Sequence, residues 1–201
     1  MVQVSVGVLF TVLAVTAVAE LPDKTMIATL VMGSRYRPVY VWSGAAAAFA
    51  VHVALAVVAG RLLELIPHRP LEIVITVLFA AGAVYLLAVS EDREAEKGRR
   101  EGDVEVVPPA PWRVVTSAFG IILVGEIGDL TQLLTINFVA RYHQPYAVGI
   151  GALAGLLGVS ALGAFGGRAL LRVIPVTVIR RIGGLALVGF TAYSIYALVS
   201  G

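Results

Sequence analysis

Six apolar runs succeed one another along the chain, at Val4–Met32, Val39–Ala59, Leu71–Val89, Val114–Ala140, Tyr146–Phe165 and Ile182–Val199. A bilayer core about 30 Å thick is crossed by about 20 helical residues. The runs therefore predict helical spans and not barrel strands, which alternate in polarity. The first and fourth runs are too long for straight spans, so their helices must tilt, bend or break. Both carry charge near the middle, as Glu20-Leu21-Pro22-Asp23-Lys24-Thr25 and Glu126-Ile127-Gly128-Asp129-Leu130-Thr131-Gln132. Pro22 has no N–H and crowds the preceding turn, which predicts a break in the first span. Such a break is tolerated in a membrane only where the freed backbone groups face protein or a wet cavity. The fold expected is all-α integral membrane, with six transmembrane helices, the first and fourth bent or broken at these motifs.

Polar segments separate the runs. Arg35, Arg37 and Pro38 make a short turn, 61–70 and 141–145 are loops, and 168–181 is a basic loop. Residues 91–105 hold eleven charged side chains of both signs and are followed by Pro108, Pro109 and Pro111. That stretch cannot span and reads as a flexible tether. Three segments result: 1–89, a charged cytoplasmic linker at 90–112, and 113–201. The loops after the first, third and fifth runs carry eleven Lys and Arg, against three on the opposite side. The excess of positive charge marks the cytoplasmic face. Both termini are therefore expected on the non-cytoplasmic side, of a bacterial plasma membrane. Ala17-Val18-Ala19 resembles a signal-peptidase site, yet no basic residue precedes the first run and a cut would fall just before the motif. The segment is expected to be retained.

Composition agrees with the pattern. Of 201 residues, 59% are hydrophobic and 14% charged, too few polar groups to cover a soluble domain. A net charge of +2 reflects loop placement and gives no reason to expect nucleic acid. The absence of cysteine excludes disulfides, thiolate metal sites and cysteine nucleophiles.

The two halves align at a shift of 106 residues. Glu20, Asp23, Thr25, Thr29, Arg35, Tyr36 and Tyr40 then meet Glu126, Asp129, Thr131, Thr135, Arg141, Tyr142 and Tyr146. Each half holds three spans, an odd number, so the second enters the membrane in the opposite sense. The prediction is two inverted three-helix repeats, an arrangement that places a substrate site near the midplane at the repeat interface.

Every acid deep in an apolar run belongs to one of the two motifs. Ionisable groups in a span mark function by default. Spacing of i, i+3 sets Glu20 with Asp23, and Glu126 with Asp129, on common helix faces. Thr25, Thr131 and Gln132 add neutral oxygens. Such a donor set suits hard divalent cations, Ca2+ or Mn2+. Four carboxylates with Lys24 carry −3 when all are ionised, untenable in low dielectric without a cation or protons. Alternate occupancy by metal and by protons is the requirement for antiport. Lys24 has no acceptor and is not a ligand; it neutralises Asp23 or snorkels. His52, inside the second span, has no counterpart at Gly158 and is read as a packing residue rather than a relay or ligand. Asn137, Tyr85 and Tyr193 are assigned to packing or to the membrane interface. No arrangement for nucleophilic catalysis is present, so an enzyme is not expected. Transport of another, organic cation, or a partner-binding subunit without transport, remain as alternatives.

Two copies of a pattern close to E-x-G-D-[KR]-[ST] in a six-span chain resemble the family of Golgi manganese/calcium–proton antiporters and bacterial manganese exporters. The resemblance implies a metal path lined by Glu20, Asp23, Thr25, Glu126, Asp129, Thr131 and Gln132. It also implies export of Mn2+, or of Ca2+, in exchange for H+, with no permanently bound cofactor. A homo-oligomer is compatible with it. The chain departs from the pattern at Pro22, in place of glycine, and at Leu130, in place of a basic residue.

Overall fold

The computed structural model describes residues 5–21, 23–63, 91–103, 105–106 and 110–173, together with scattered positions within 65–88 and 185–199; the side chains of 91–95 and 167–173 are not described. Seven helices make up this part: α1 (Val6–Glu20), α2 (Lys24–Arg35), α3 (Pro38–Leu63), α4 (Glu91–Gly102), α5 (Pro111–Gly125), α6 (Leu130–Tyr142) and α7 (Pro145–Val173). The regular structure among the described residues is entirely helical. About half of each of the expected third and sixth spans, Leu71–Val89 and Ile182–Val199, lies outside the described residues, as do Pro22 and Tyr85.

The two over-long runs are broken. The axes of α1 and α2 differ by 70°, and those of α5 and α6 by 68°. Both breaks use the same local geometry. Asp23 and Asp129 are extended N-caps of α2 and α6, with φ,ψ of −83°, 163° and −74°, 165°. Each backbone N–H returns to the glutamate three residues earlier, Asp23 to Glu20 at 3.0 Å and Asp129 to Glu126 at 3.1 Å. By length and hydropathy, α3 and residues 145–166 of α7 cross a membrane alone, and each bent pair does so if it counts as one span. The described residues therefore contain two to four candidate spans.

Packing between the halves is crossed. The broken pair α1/α2 lies on α7, and the broken pair α5/α6 lies on α3. Small residues permit the close approach. A Cβ at Gly151 of α7 would sit 2.5 Å from the Leu9 carbonyl oxygen, and one at Gly155 would sit 3.0 Å from that of Leu13. Val12, Phe49, Ile122, Leu134 and Phe138 meet in the buried centre. On α3, Val51, Leu55, Val58 and Leu62 remain exposed on one stripe, the side a bilayer would cover.

Two expectations need correcting. The charged stretch expected to be a flexible tether is helical over Glu91–Gly102 and lies along α2. Glu, Lys, Arg and Ala are strong helix formers, and Glu96 pairs with Arg100 one turn on. Gly98 and Gly102 form the contact face: a Cβ at Gly98 would stand 2.7 Å from Ile27 Cβ, and one at Gly102 2.8 Å from Val31 Cβ. Beyond the helix, Asp103 pairs with Arg35, and the Val106 N–H donates to the Tyr36 hydroxyl at 2.8 Å. The basic loop expected over 168–181 is helical as far as Val173, where α7 ends, and its remainder lies outside the described residues.

Candidate metal centre

Glu20 ends α1, and Glu126 follows the last turn of α5. Both are 1% exposed, and Asp23 is 7% exposed. A carboxylate oxygen from each of Glu20, Asp23 and Glu126 lies within 4.8 Å of the others. The motif acids therefore do not meet along one helical face, as spacing alone suggested. Glu20 and Asp23 are brought together by the break, which turns the N-terminus of α2 towards the end of α1.

Neither N-cap aspartate caps its own helix through its side chain. That is unusual, since a side-chain oxygen at this position normally accepts an N–H of the first turn. The Asp129 carboxylate instead takes the Lys24 ammonium at 2.9 Å, a pair with 8% and 9% side-chain exposure. The lysine of the first motif thus neutralises the aspartate of the second. Leu130 stands where a second lysine would complete the reciprocal pair.

The threonines converge on Glu126. Thr25 donates to Oε1 from across the repeat, and Thr131 donates to Oε2 at 3.4 Å. Neither oxygen of Glu20 has a hydrogen-bond partner among the described residues. Buried carboxylate oxygens left so are costly, and a bound cation or proton relieves that cost. Thr29 and Thr135, the other aligned pair, bond back to the carbonyls of Met26 and Thr131 in their own helices, at 2.9 and 2.8 Å. Asn137 does the same, to Leu133 at 3.0 Å. Tyr193 lies under the Arg141 guanidinium, 5.0 Å from ring centroid to Cζ.

Gln132 stands beside the cluster with its amide oxygen engaged elsewhere, accepting the Gly128 N–H at 2.8 Å. Its amide nitrogen meets His52 Nδ1 at 3.4 Å. His52 is 4% exposed, and its Nε2 lies 2.9 Å from the Leu123 carbonyl oxygen. The sequence assigned this residue to packing, for want of a counterpart at Gly158. The signal available was a lone imidazole inside an apolar helix. His52, Phe49, Glu126, Thr131 and Gln132 border a cavity of about 10 Å³.

Carboxylates held together at paired helix breaks define a membrane protein of the ion-transporter class. The model of the divalent cation/proton antiporter family GDT1 matches the chain twice, over residues 8–94 and 114–200, two stretches that begin 106 residues apart. The chain belongs to this family, whose members are transporters and not enzymes. It is 27% identical over 193 residues to GDT1-like protein sll0615 of Synechocystis, covering 90% of this chain and 93% of that one. GDT1-like protein 3 of Arabidopsis thaliana is 27% identical over 206 residues, covering 94% and 70%. The chloroplastic protein PAM71 of the same plant is 26% identical over 203 residues, covering 90% and 55%. No solved structure matches the chain.

Proposed function

We propose that the chain exports Mn2+ from the cytoplasm in exchange for protons, with Ca2+ as a second substrate, through a site built by Glu20, Asp23 and Glu126. The observation that carries this reading is the 4.8 Å grouping of their oxygens at the junction of two broken helices. Carboxylate oxygens suit a hard cation, and Glu20 and Glu126 stand at helix C-terminal ends, where the dipole favours positive charge. Three carboxylates so close cannot stay ionised and empty in low dielectric. The site therefore exchanges a metal for protons, and the two are never bound together.

Thr25 and Thr131 orient Glu126 and can add neutral oxygens, while the Lys24–Asp129 pair neutralises the fourth acid. The cavity of about 10 Å³ adjoins Glu126 on the side of His52 and Gln132 and is large enough for about one water. Two inverted repeats are supported by the doubled family match, the two near-equal bends and the crossed packing of each broken pair on the other half. In that arrangement the motifs face each other across a pseudo-twofold axis, and rocking of one half against the other would expose the site to each side in turn. The charge of the loops supports a reading with the termini on the non-cytoplasmic side and entry of the metal from the face of α4.

Equilibrium binding of Mn2+ to the purified protein tests the site. Glu20→Gln and Asp23→Asn should each weaken binding by at least tenfold, while Thr29→Val, outside the cluster, should not. Equal affinity in all four proteins would place the metal elsewhere.

A further inference from the structure

Three of the aligned positions at which the two halves differ are connected in the structure. Gly128 stands at the position of Pro22, Gln132 at that of Met26, and His52 at that of Gly158. Gly128 has φ of +74°, the left-handed conformation that glycine adopts without strain. Unlike a proline nitrogen, its nitrogen carries a hydrogen. Gln132 Oε1 accepts that N–H at 2.8 Å.

An amide side chain can be turned either way round. Here the fixed partners at each end make the choice. The Gly128 N–H only donates, so Gln132 turns its oxygen to Gly128 and its NH2 group to Nδ1; the Leu123 carbonyl oxygen only accepts, so the 2.9 Å contact requires the ring hydrogen on Nε2. Nδ1 is then an acceptor and takes the Gln132 NH2 group. The first motif has a proline without an N–H, a methionine that cannot cap and a glycine that cannot hold one. It neither needs nor possesses the device.

We infer that His52 is a positioning residue: through Gln132 it locks the Gly128 turn and so sets Glu126 and Asp129, on either side of that turn, for the cation. The transport consequence rests on the function proposed above; the hydrogen-bond relay does not. His52 acts by geometry and carries no transported proton. Its test uses three variants. His52→Leu removes both contacts. Gln132→Met installs the residue of the first motif. His52→Gln retains a donor for Leu123 and an acceptor for Gln132 but cannot titrate.

Hydrogen exchange over residues 126–132 reports the turn directly. Mn2+-dependent transport reports the site. Exchange should quicken in His52→Leu and Gln132→Met and stay native in His52→Gln. In the same two variants KM for Mn2+ should rise about fivefold, the loss of one net hydrogen bond, with kcat within about twofold. His52→Gln should transport as the native protein does. Native exchange in His52→Leu and Gln132→Met would overturn the inference, as would a His52→Gln protein as impaired as His52→Leu. If His52→Leu does not fold, Gln132→Met and His52→Gln decide the matter by the same readings. A native protein that moves no divalent cation would overturn the transport reading instead, and the exchange data would still judge the relay.

Discussion

Lys24 and Asp129 belong to different motifs, 105 positions apart, yet their side chains meet at 2.9 Å in a pocket that leaves them 8% and 9% exposed. Removing one member of a buried pair strands the other, at a cost of about 3–5 kcal/mol. Lys24→Met and Asp129→Asn should each lower the thermal midpoint of the purified protein markedly. The double variant should recover much of the loss, because no charge is left stranded. Midpoints that fall additively would mean that the two groups are not coupled.

Leu130 makes the centre asymmetric. A lysine there would stand at the repeat counterpart of Lys24 and bring a second positive charge towards the cluster. Leu130→Lys should therefore weaken Mn2+ binding, by roughly tenfold for an interaction on the order of 1.4 kcal/mol. Unchanged affinity in a binding titration would remove the charge argument.

Thr25 contributes to the centre from the opposite repeat, by donating to Glu126. A hydrogen bond to a charged group contributes about 1.5–3 kcal/mol. Thr25→Val should lower transport at limiting Mn2+ by at least tenfold, and Thr25→Ser should keep it near the native rate. Vesicle uptake of Mn2+ compares the two. Equal loss in both variants would assign Thr25 to packing.

The helix between the halves is held by glycine contacts. Gly98→Leu would drive a side chain into Ile27 and the Lys24 carbonyl and lift α4 from α2. Limited trypsin digestion reads this, since Lys97, Arg99 and Arg100 lie on the helix. The native protein should resist cleavage there and Gly98→Leu should be cut. Rapid cutting of both would restore the picture of a loose tether.

What the sequence could and could not reveal follows from where each signal resides. The breaks were legible because length and charge both flag the same point of an apolar run. Glu20, Asp23 and Glu126 were legible because acids are rare in such runs. The partner of Lys24 was not, since its choice of Asp129 over the adjacent Asp23 depends on how two distant segments face each other. Residues 91–102 were misread because their charge was weighed and the four-residue spacing of Gly98 and Gly102 was not. His52 acquires its role only when α3 packs on α5 and α6, which brings its ring to Leu123 and Gln132. A single imidazole without a repeat counterpart carries no such information along the chain.

The most direct test of the central claim is proton movement across sealed proteoliposomes when Mn2+, Ca2+ or Mg2+ is added outside, with Asp23→Asn as the comparison. Proton movement that requires Mn2+ or Ca2+ and disappears in Asp23→Asn is the predicted result. Tight, correctly loaded vesicles in which neither ion moves protons, or in which Asp23→Asn exchanges at the native rate, would contradict it.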